Sequence, residues 1–235
     1  MALVYNAVLD GFSMKWPLSR VPLGPDSADH LLVSDDYFAI GEMDDFLRVP
    51  LDAPTAQKIA DHRGFLLPTQ RIVHLTWAAA RLKLTPRAKP STGPMLSVRY
   101  FVEHNATIES DRQKRTGLIA GIKKDVVVTN RLLSQPGRVP ICGWTGLDGK
   151  DIQPLSLVHE ATYADYSHGV RFICPIVYIG GVGIPLEQAL MDEQYAARLS
   201  TAADRSRQVL EGGKPVVVNG VIQYTVDATM LVTRL

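Results

Sequence analysis

Residues 159–172 read His-Glu-Ala-Thr-Tyr-Ala-Asp-Tyr-Ser-His-Gly-Val-Arg-Phe and concentrate more reactive side-chain types than any other part of the chain. They supply two imidazoles, a serine hydroxyl, two carboxylates and two phenols. An imidazole can activate a hydroxyl as a nucleophile, and a carboxylate can hold that imidazole in position. The stretch therefore indicates nucleophilic or acid–base catalysis, and a polar turn between strands is the alternative.

The catalytic hypothesis assigns Ser167 as the nucleophile and His159 as its base. Neighbouring strand residues point to opposite faces, so His159 suits Ser167 better than the adjacent His168 does. The rest of the predicted catalytic set is His168, Asp165 or in its place Glu160, and Lys124. The predicted substrate contacts come from Arg171, Tyr166, Trp144 and Lys123. Together these residues predict a hydrolase of Ser-His or Ser-Lys type that acts on amide or ester bonds.

Residues 167–172 resemble the active-site motif of the L,D-transpeptidases, the family that cross-links peptidoglycan. That motif reads histidine, a variable loop, then Ser-His-Gly-Cys-Val/Ile-Arg, and His159 would be the upstream histidine. The resemblance covers residues 138–173 and implies cell-wall peptide as the first substrate to consider. Here Gly169 runs directly into Val170 without the cysteine, so the family's thiolate step cannot be transferred to this chain.

A broader resemblance links several short segments to a group of uncharacterised bacterial proteins, to which no activity is attached. It implies that the Lys123-Lys124 pair and the Tyr-Ser-His-Gly turn belong to one architecture and lie together. The segments are residues 120–127, 137–141, 152–155 and 165–169.

A noncatalytic protein is the competing hypothesis, either a carbohydrate-binding module or a structural or assembly protein. Trp144, Tyr163 and Tyr166 would then stack on a ligand, and the histidines would only form hydrogen bonds. The lysine pair would be a solvated strand edge. A Ser167 hydroxyl within roughly 3 Å of an imidazole nitrogen, facing a cleft, would favour the enzyme.

Other chemistries receive little support from the sequence. Cys142 and Cys174 do not form a Cys-x-x-Cys motif, so no redox pair is predicted. Cys142 is interpreted as a small core residue and otherwise as a second candidate nucleophile, and Cys174 is expected to be buried. No His-Glu-x-x-His motif is present, and Gly180–Gly183 indicates a turn instead of a nucleotide loop. We therefore predict no metal and no cofactor.

Composition limits the classes of partner. The chain has 235 residues, of which 46% are hydrophobic, and 25 basic side chains balance 24 acidic ones, so no nucleic-acid partner is expected. The apolar run at residues 172–186 is broken by prolines and glycines, which argues against a membrane span and for a soluble protein. The first residues lack an export signal. A small-molecule, peptide or glycan substrate is expected, and the compartment and the oligomeric state stay open.

The pattern of elements predicts a single α+β domain, with a helical N-terminal half packed on a β-rich C-terminal half. Residues 1–50 are predicted to be an extended wrapping segment with one or two short strands. Residues 52–115 are predicted to be helical, with helices from Asp52 to Gly64, from Thr69 to Pro86 and from Leu96 to Gln113.

The β-rich part, residues 117–235, includes two short helices in this prediction. Strands are expected at residues 125–129 and 139–144, and a turn at residues 147–150. The two helices are placed at residues 185–190 and 201–210. A hairpin is predicted at residues 216–224, turning at Asn219-Gly220.

Overall fold

Short strands and helices alternate along the chain, and the computed structural model describes residues 1–25 and 27–205. The helices are α1 (Ala2–Leu9), α2 (Ala53–Arg63), α3 (Gln70–Ala79), α4 (Val98–Arg112), α5 (Leu186–Met191), α6 (Glu193–Leu199) and α7 (Ala202–Arg205), with a 3₁₀ helix at Asn130–Leu133. The strands are β1 (Leu18–Pro22), β2 (His30–Ser34), β3 (Ala39–Glu42), β4 (Asp45–Arg48), β5 (Leu82–Lys83), β6 (Ile119–Ala120), β7 (Lys124–Val126), β8 (Ile141–Thr145), β9 (Asp151–Ser156), β10 (His168–Gly169), β11 (Ile173–Ile179) and β12 (Val182–Pro185). The mixed α+β class is confirmed.

Side-chain caps begin the three long helices at or close to the predicted positions. The Asp52 carboxylate accepts the Thr55 N–H at 2.8 Å, and the Thr69 hydroxyl accepts the Ile72 N–H at 3.2 Å. Gly64 ends α2 with φ 68°, a left-handed conformation that glycine adopts without strain. The second helix was predicted to reach Pro86, which is wrong. It stops at Ala79 because Leu82–Lys83 pairs with Ile119–Ala120 as a parallel strand.

The first sheet joins the two ends of the described chain in the order β1-β2-β11-β12. Strand β2 pairs antiparallel with β11, which sets Val33 opposite Ile173 and Leu31 opposite Val177, and all four side chains are buried. The interpretation of residues 1–50 as a wrapping segment with one or two strands is therefore wrong. They contain a helix and four strands, and Val21 of β1 with Leu31 and Val33 of β2 is buried in the core that α3 and α5 also form.

The second sheet, in the order β10-β7-β8-β9, positions the reactive stretch. Strand β10 pairs parallel with β7, so that His168 lies beside Lys124, and β8 places Cys142 opposite Asp125. Gly169 is required here, because an added Cβ would lie 2.5 Å from Cδ1 of Tyr37. The predicted proximity of the lysine pair and the Ser-His-Gly turn is confirmed.

Two further predictions concern the end of the chain and the membrane. The hairpin at Asn219-Gly220 and most of the helix at residues 201–210 lie outside the described residues. Within residues 1–25 and 27–205, no helix combines the length and the hydrophobicity needed to cross a bilayer.

Candidate functional site

A cavity of about 710 Å³ opens beside the first half of the reactive stretch, and His159, Glu160 and Tyr163 line it. Backbone hydrogen bonds hold this wall in place: the Val139 N–H donates to the His159 carbonyl at 3.1 Å, and the Ala161 N–H donates to the Gly137 carbonyl at 2.8 Å. The His159 ring stacks on the Tyr163 ring at 4.1 Å between centroids. An imidazole is thus fixed at the wall of a space that can admit a substrate.

Asp165 organises the layer behind this wall. Its carboxylate accepts hydrogen bonds from the Tyr163 hydroxyl at 3.0 Å, the Ser167 N–H at 2.8 Å and the Ser167 hydroxyl at 2.5 Å. Burial acts to raise the pKa of Asp165, but the attraction of His168, which is protonated only in the acid range where this carboxyl titrates, and the Ser167 hydrogen bonds outweigh it, and the net pKa lies below its ordinary value. The carboxylate therefore stays ionised and holds both Tyr163 and Ser167.

Ser167 does not make the bond that the catalytic hypothesis requires. Its hydroxyl donates to Asp165 and not to an imidazole, and only 1% of the residue is exposed. The prediction that Ser167 lies at the cleft wall is therefore corrected. Asp165, two positions earlier, accepts the Ser167 hydroxyl in a local turn, so this hydroxyl does not donate to a histidine.

His168 lies behind the wall and is fully buried. Its ring centroid is 6.3 Å from that of His159 and 5.6 Å from that of Tyr163. Neither ring nitrogen has a hydrogen-bond partner within the described part of the protein. Burial lowers the pKa of His168 to about 4 although Asp165 acts in the opposite direction, so the ring is neutral at pH 7. The predicted place of His168 at the cleft wall is likewise corrected.

Arg171 was predicted to bind substrate, but its guanidinium is turned into the core and is 1% exposed. It donates to the Ser34 carbonyl at 2.5 Å and to the Ile119 carbonyl at 2.6 Å. It also lies 4.3 Å from the centroid of the Tyr37 ring. Arg171 therefore joins three elements of the fold and cannot reach a ligand in the cavity.

The predicted stacking residues are also covered. Trp144 is 6% exposed and packs near Tyr166, whose hydroxyl is bonded to the backbone of Lys89. The half-buried Lys124 places its ammonium 5.0 Å from the centroid of the Trp144 ring. Only Tyr163 borders the cavity, and His159 covers one face of its ring. The predicted three-ring carbohydrate platform is therefore corrected.

Lys123 is a buried lysine, whereas a solvated edge was the simpler interpretation. Its ammonium donates to the Tyr166 carbonyl at 2.5 Å and contacts Nδ1 of His104 at 3.2 Å. Burial lowers the pKa of Lys123 to about 7, and the charge of Arg48 acts in the same direction. Lys123 therefore holds the backbone of Tyr166 from the protein interior and makes no substrate contact.

A buried lysine of this kind makes stability depend on pH. The folded protein releases the Lys123 proton near pH 7, whereas the unfolded chain holds it to about pH 10.4, so the unfolded state binds more protons between these values. Stability should therefore rise with pH through this window, by about 2 kcal/mol between pH 7 and pH 9, and this contribution should be absent in Lys123→Met. Urea unfolding at both pH values measures the difference between the two proteins.

The exposed Lys150 provides the control, since Lys150→Met should keep the slope of the wild-type protein. Equal slopes for wild type and Lys123→Met would show that Lys123 does not titrate in this range.

A buried cluster of Tyr37, Asp125 and Arg171 was not predicted from the sequence. The Tyr37 hydroxyl donates to Oδ2 of Asp125 at 2.9 Å across 88 positions of sequence, and Nε of Arg171 lies 3.9 Å from Oδ1 of Asp125. Burial raises the pKa of Asp125 to about 6, although Arg171 and the Tyr37 hydrogen bond lower it. No local pattern could have revealed contacts among residues so far apart.

The cysteines are not joined by a disulfide. Cys142 is buried, as predicted, and burial raises the pKa of its thiol well above the ordinary value, which removes it as a nucleophile at neutral pH. Cys174 was expected to be buried but is half-buried. In the described ranges no group of three or more His, Cys, Asp or Glu side chains is arranged to hold a metal ion.

The site thus brings together His159, Tyr163, Asp165, Ser167, His168 and Lys124, and it leaves Arg171, Trp144, Tyr166 and Lys123 in the supporting core. Comparison with protein-family models, with curated proteins and with solved structures gave no match to this chain. Its function is therefore inferred from the geometry of these side chains.

Proposed function

We propose that this protein is a hydrolase that cleaves an amide or ester bond of a substrate bound in the cavity beside His159. The observation that supports this proposal is the position of His159, whose imidazole borders the cavity and stacks on Tyr163, while the Tyr163 hydroxyl is held by Asp165. Imidazole is the side chain best suited to take and return a proton near neutral pH.

The nucleophile in this proposal is a water molecule in the cavity. His159 takes a proton from the water as its oxygen bonds to the carbonyl carbon of the substrate. The same imidazole then returns the proton to the leaving amine or alcohol as the scissile bond breaks. Arg138 also lines the cavity, and its guanidinium would stabilise the negative charge on the carbonyl oxygen.

Ser167 is a positioning residue in this scheme and not the attacking group. Its hydroxyl is already donated to Asp165, and it lies behind the wall that His159 and Tyr163 form. By holding Asp165, Ser167 acts on Tyr163 and so on the orientation of the His159 ring. Direct attack by Ser167 would require it to leave this bond and reach the cavity.

The substrates to test first are small esters, peptides and glycan-linked peptides. Cell-wall peptide is included because residues 167–172 resemble the L,D-transpeptidase motif. The cavity lining carries both signs of charge, with Arg138 against Asp52 and Glu160, so a polar or zwitterionic substrate fits it better than a hydrocarbon chain.

A hydrolase screen combined with fluorophosphonate labelling tests this proposal. We expect turnover of at least one ester or amide class, no covalent labelling of Ser167, and a loss of less than about tenfold in kcat for Ser167→Ala. Ser97→Ala is a matched control, because Ser97 only caps α4. Labelling at Ser167, together with a loss of several orders of magnitude in Ser167→Ala, would make Ser167 the nucleophile. No turnover of any class would overturn the hydrolase and favour a binding protein.

A further inference from the structure

A second cavity, of about 260 Å³, lies between the N-terminal segment and the first sheet. Its walls are largely aromatic, with Trp16, Phe38, Phe65 and Phe172 around it. Phe65 stacks on Phe172 at 5.8 Å between centroids, and Phe38 meets Phe172 edge to face at 6.2 Å. These rings brace one another, so the cavity is built from packed side chains and is held open by them.

Among the described residues, the charged side chains that line this cavity are Lys15 and Arg63, and none of the lining residues is acidic. The Arg63 guanidinium donates to the Met14 carbonyl at 3.1 Å and to the carbonyl and hydroxyl of Ser13. A guanidinium has five N–H groups, so these three bonds leave two for another acceptor. Within residues 1–25 and 27–205, Arg63 forms no ion pair with a carboxylate.

We propose that this cavity binds a small carboxylate that carries a single aromatic ring. The ring would pack against Trp16 and Phe65, and the carboxylate would pair with Arg63 and Lys15. Each N–H group left on Arg63 can form a charge-assisted hydrogen bond with a carboxylate oxygen, and aromatic walls favour a flat apolar body. The volume is smaller than the roughly 300–1000 Å³ of sites for drug-sized ligands, which limits the occupant to about one ring.

This site is separate from the proposed hydrolase site. In the part of the chain that the structure describes, the two cavities share no lining residue: one is bordered by residues near His159 and the other by residues near Arg63. Binding here can therefore be measured whether or not the protein hydrolyses a substrate.

Titration of the ¹⁵N-labelled full chain with 3-phenylpropionate tests the proposal, and 3-phenylpropan-1-ol is the neutral match. The readout is the indole N–H resonance of Trp16, which donates to the Tyr37 carbonyl at 2.8 Å and is assigned with Trp16→Phe. We expect a Kd of about 0.1–5 mM for the acid and binding at least about tenfold weaker for the alcohol. Equal binding of acid and alcohol, or no shift with the acid at about 20 mM, would overturn the proposal.

Three charge-removing variants locate the carboxylate. Arg63→Gln should weaken acid binding by about tenfold or more, and the exposed Lys15→Gln by roughly two- to fivefold. Lys15→Gln remains informative if Arg63→Gln fails to fold, because Lys15 has little part in packing. The exposed Arg20→Gln should bind as the wild type does. Unchanged affinity in Lys15→Gln and in a folded Arg63→Gln would contradict the assignment.

Discussion

Replacement of His159 by glutamine is expected to lower kcat/KM for hydrolysis by about 10²–10⁴-fold, the usual contribution of a general base. Glutamine keeps a planar polar group beside Tyr163 but cannot take a proton from water. The loss should appear mainly in kcat, because the imidazole acts as the bond to the carbonyl carbon forms. Steady-state kinetics with the best substrate of the screen measures the effect.

His62→Gln is the matched control, since His62 is exposed on α2, and it should retain wild-type activity. Tyr163→Phe refines the test. It keeps the ring against His159 but removes the hydrogen bond to Asp165, so kcat should fall by roughly 3- to 30-fold with little change in KM. Full activity of His159→Gln would remove His159 from the mechanism, whatever the behaviour of Ser167.

The helix starts could be predicted because their signals are local. Asp52 and Thr69 each cap an N–H group three positions ahead, so the capping residue and its partner lie in the same short stretch of sequence. The ends were less predictable where a distant strand decides them. Helix α3 stops before Pro86 because Leu82 pairs with Ile119, and no residue near Leu82 in sequence indicates this pairing.

The partner of Ser167 shows a different kind of error. The catalytic hypothesis paired Ser167 with an imidazole. Asp165 lies only two positions away and accepts hydrogen bonds from both the N–H and the hydroxyl of Ser167. This Asp-x-Ser turn is a local signal, and it agrees with the polar turn that was the alternative to the catalytic interpretation. The stacking of Tyr163 on His159 could not have been read in the same way, because it depends on how the loop folds over residues 137–139.

Arg171 was misjudged because it stands at the end of the reactive stretch in sequence, whereas its partners come from elsewhere. Its partners are Ser34 in β2, Ile119 in β6 and Asp125 in β7. A buried cation held by two carbonyl groups and a carboxylate is costly to desolvate, and it becomes more costly when one partner is removed. The same contacts that exclude Arg171 from substrate binding make it a large contributor to the integrity of the fold.

Arg171→Met is therefore expected to lower the free energy of unfolding by about 3–5 kcal/mol, the usual effect of breaking a buried charge pair. Methionine fills most of the volume but removes the guanidinium donor from the Ser34 and Ile119 carbonyls, and it leaves Asp125 without its cation. Urea unfolding followed by circular dichroism measures the loss, and the exposed Arg20→Met should change stability by less than about 0.5 kcal/mol.

The double variant Arg171→Met, Asp125→Asn separates the charge from the carbonyl contacts. Asparagine keeps an oxygen to accept the Tyr37 hydroxyl while removing the buried negative charge. The double variant should therefore be more stable than Arg171→Met alone, by roughly 1–2 kcal/mol, and with Asp125→Asn alone as the fourth protein the cycle gives the coupling of the two charges. If Arg171→Met instead kept wild-type stability and raised only KM, Arg171 would be a substrate contact, which its buried guanidinium does not allow in this geometry.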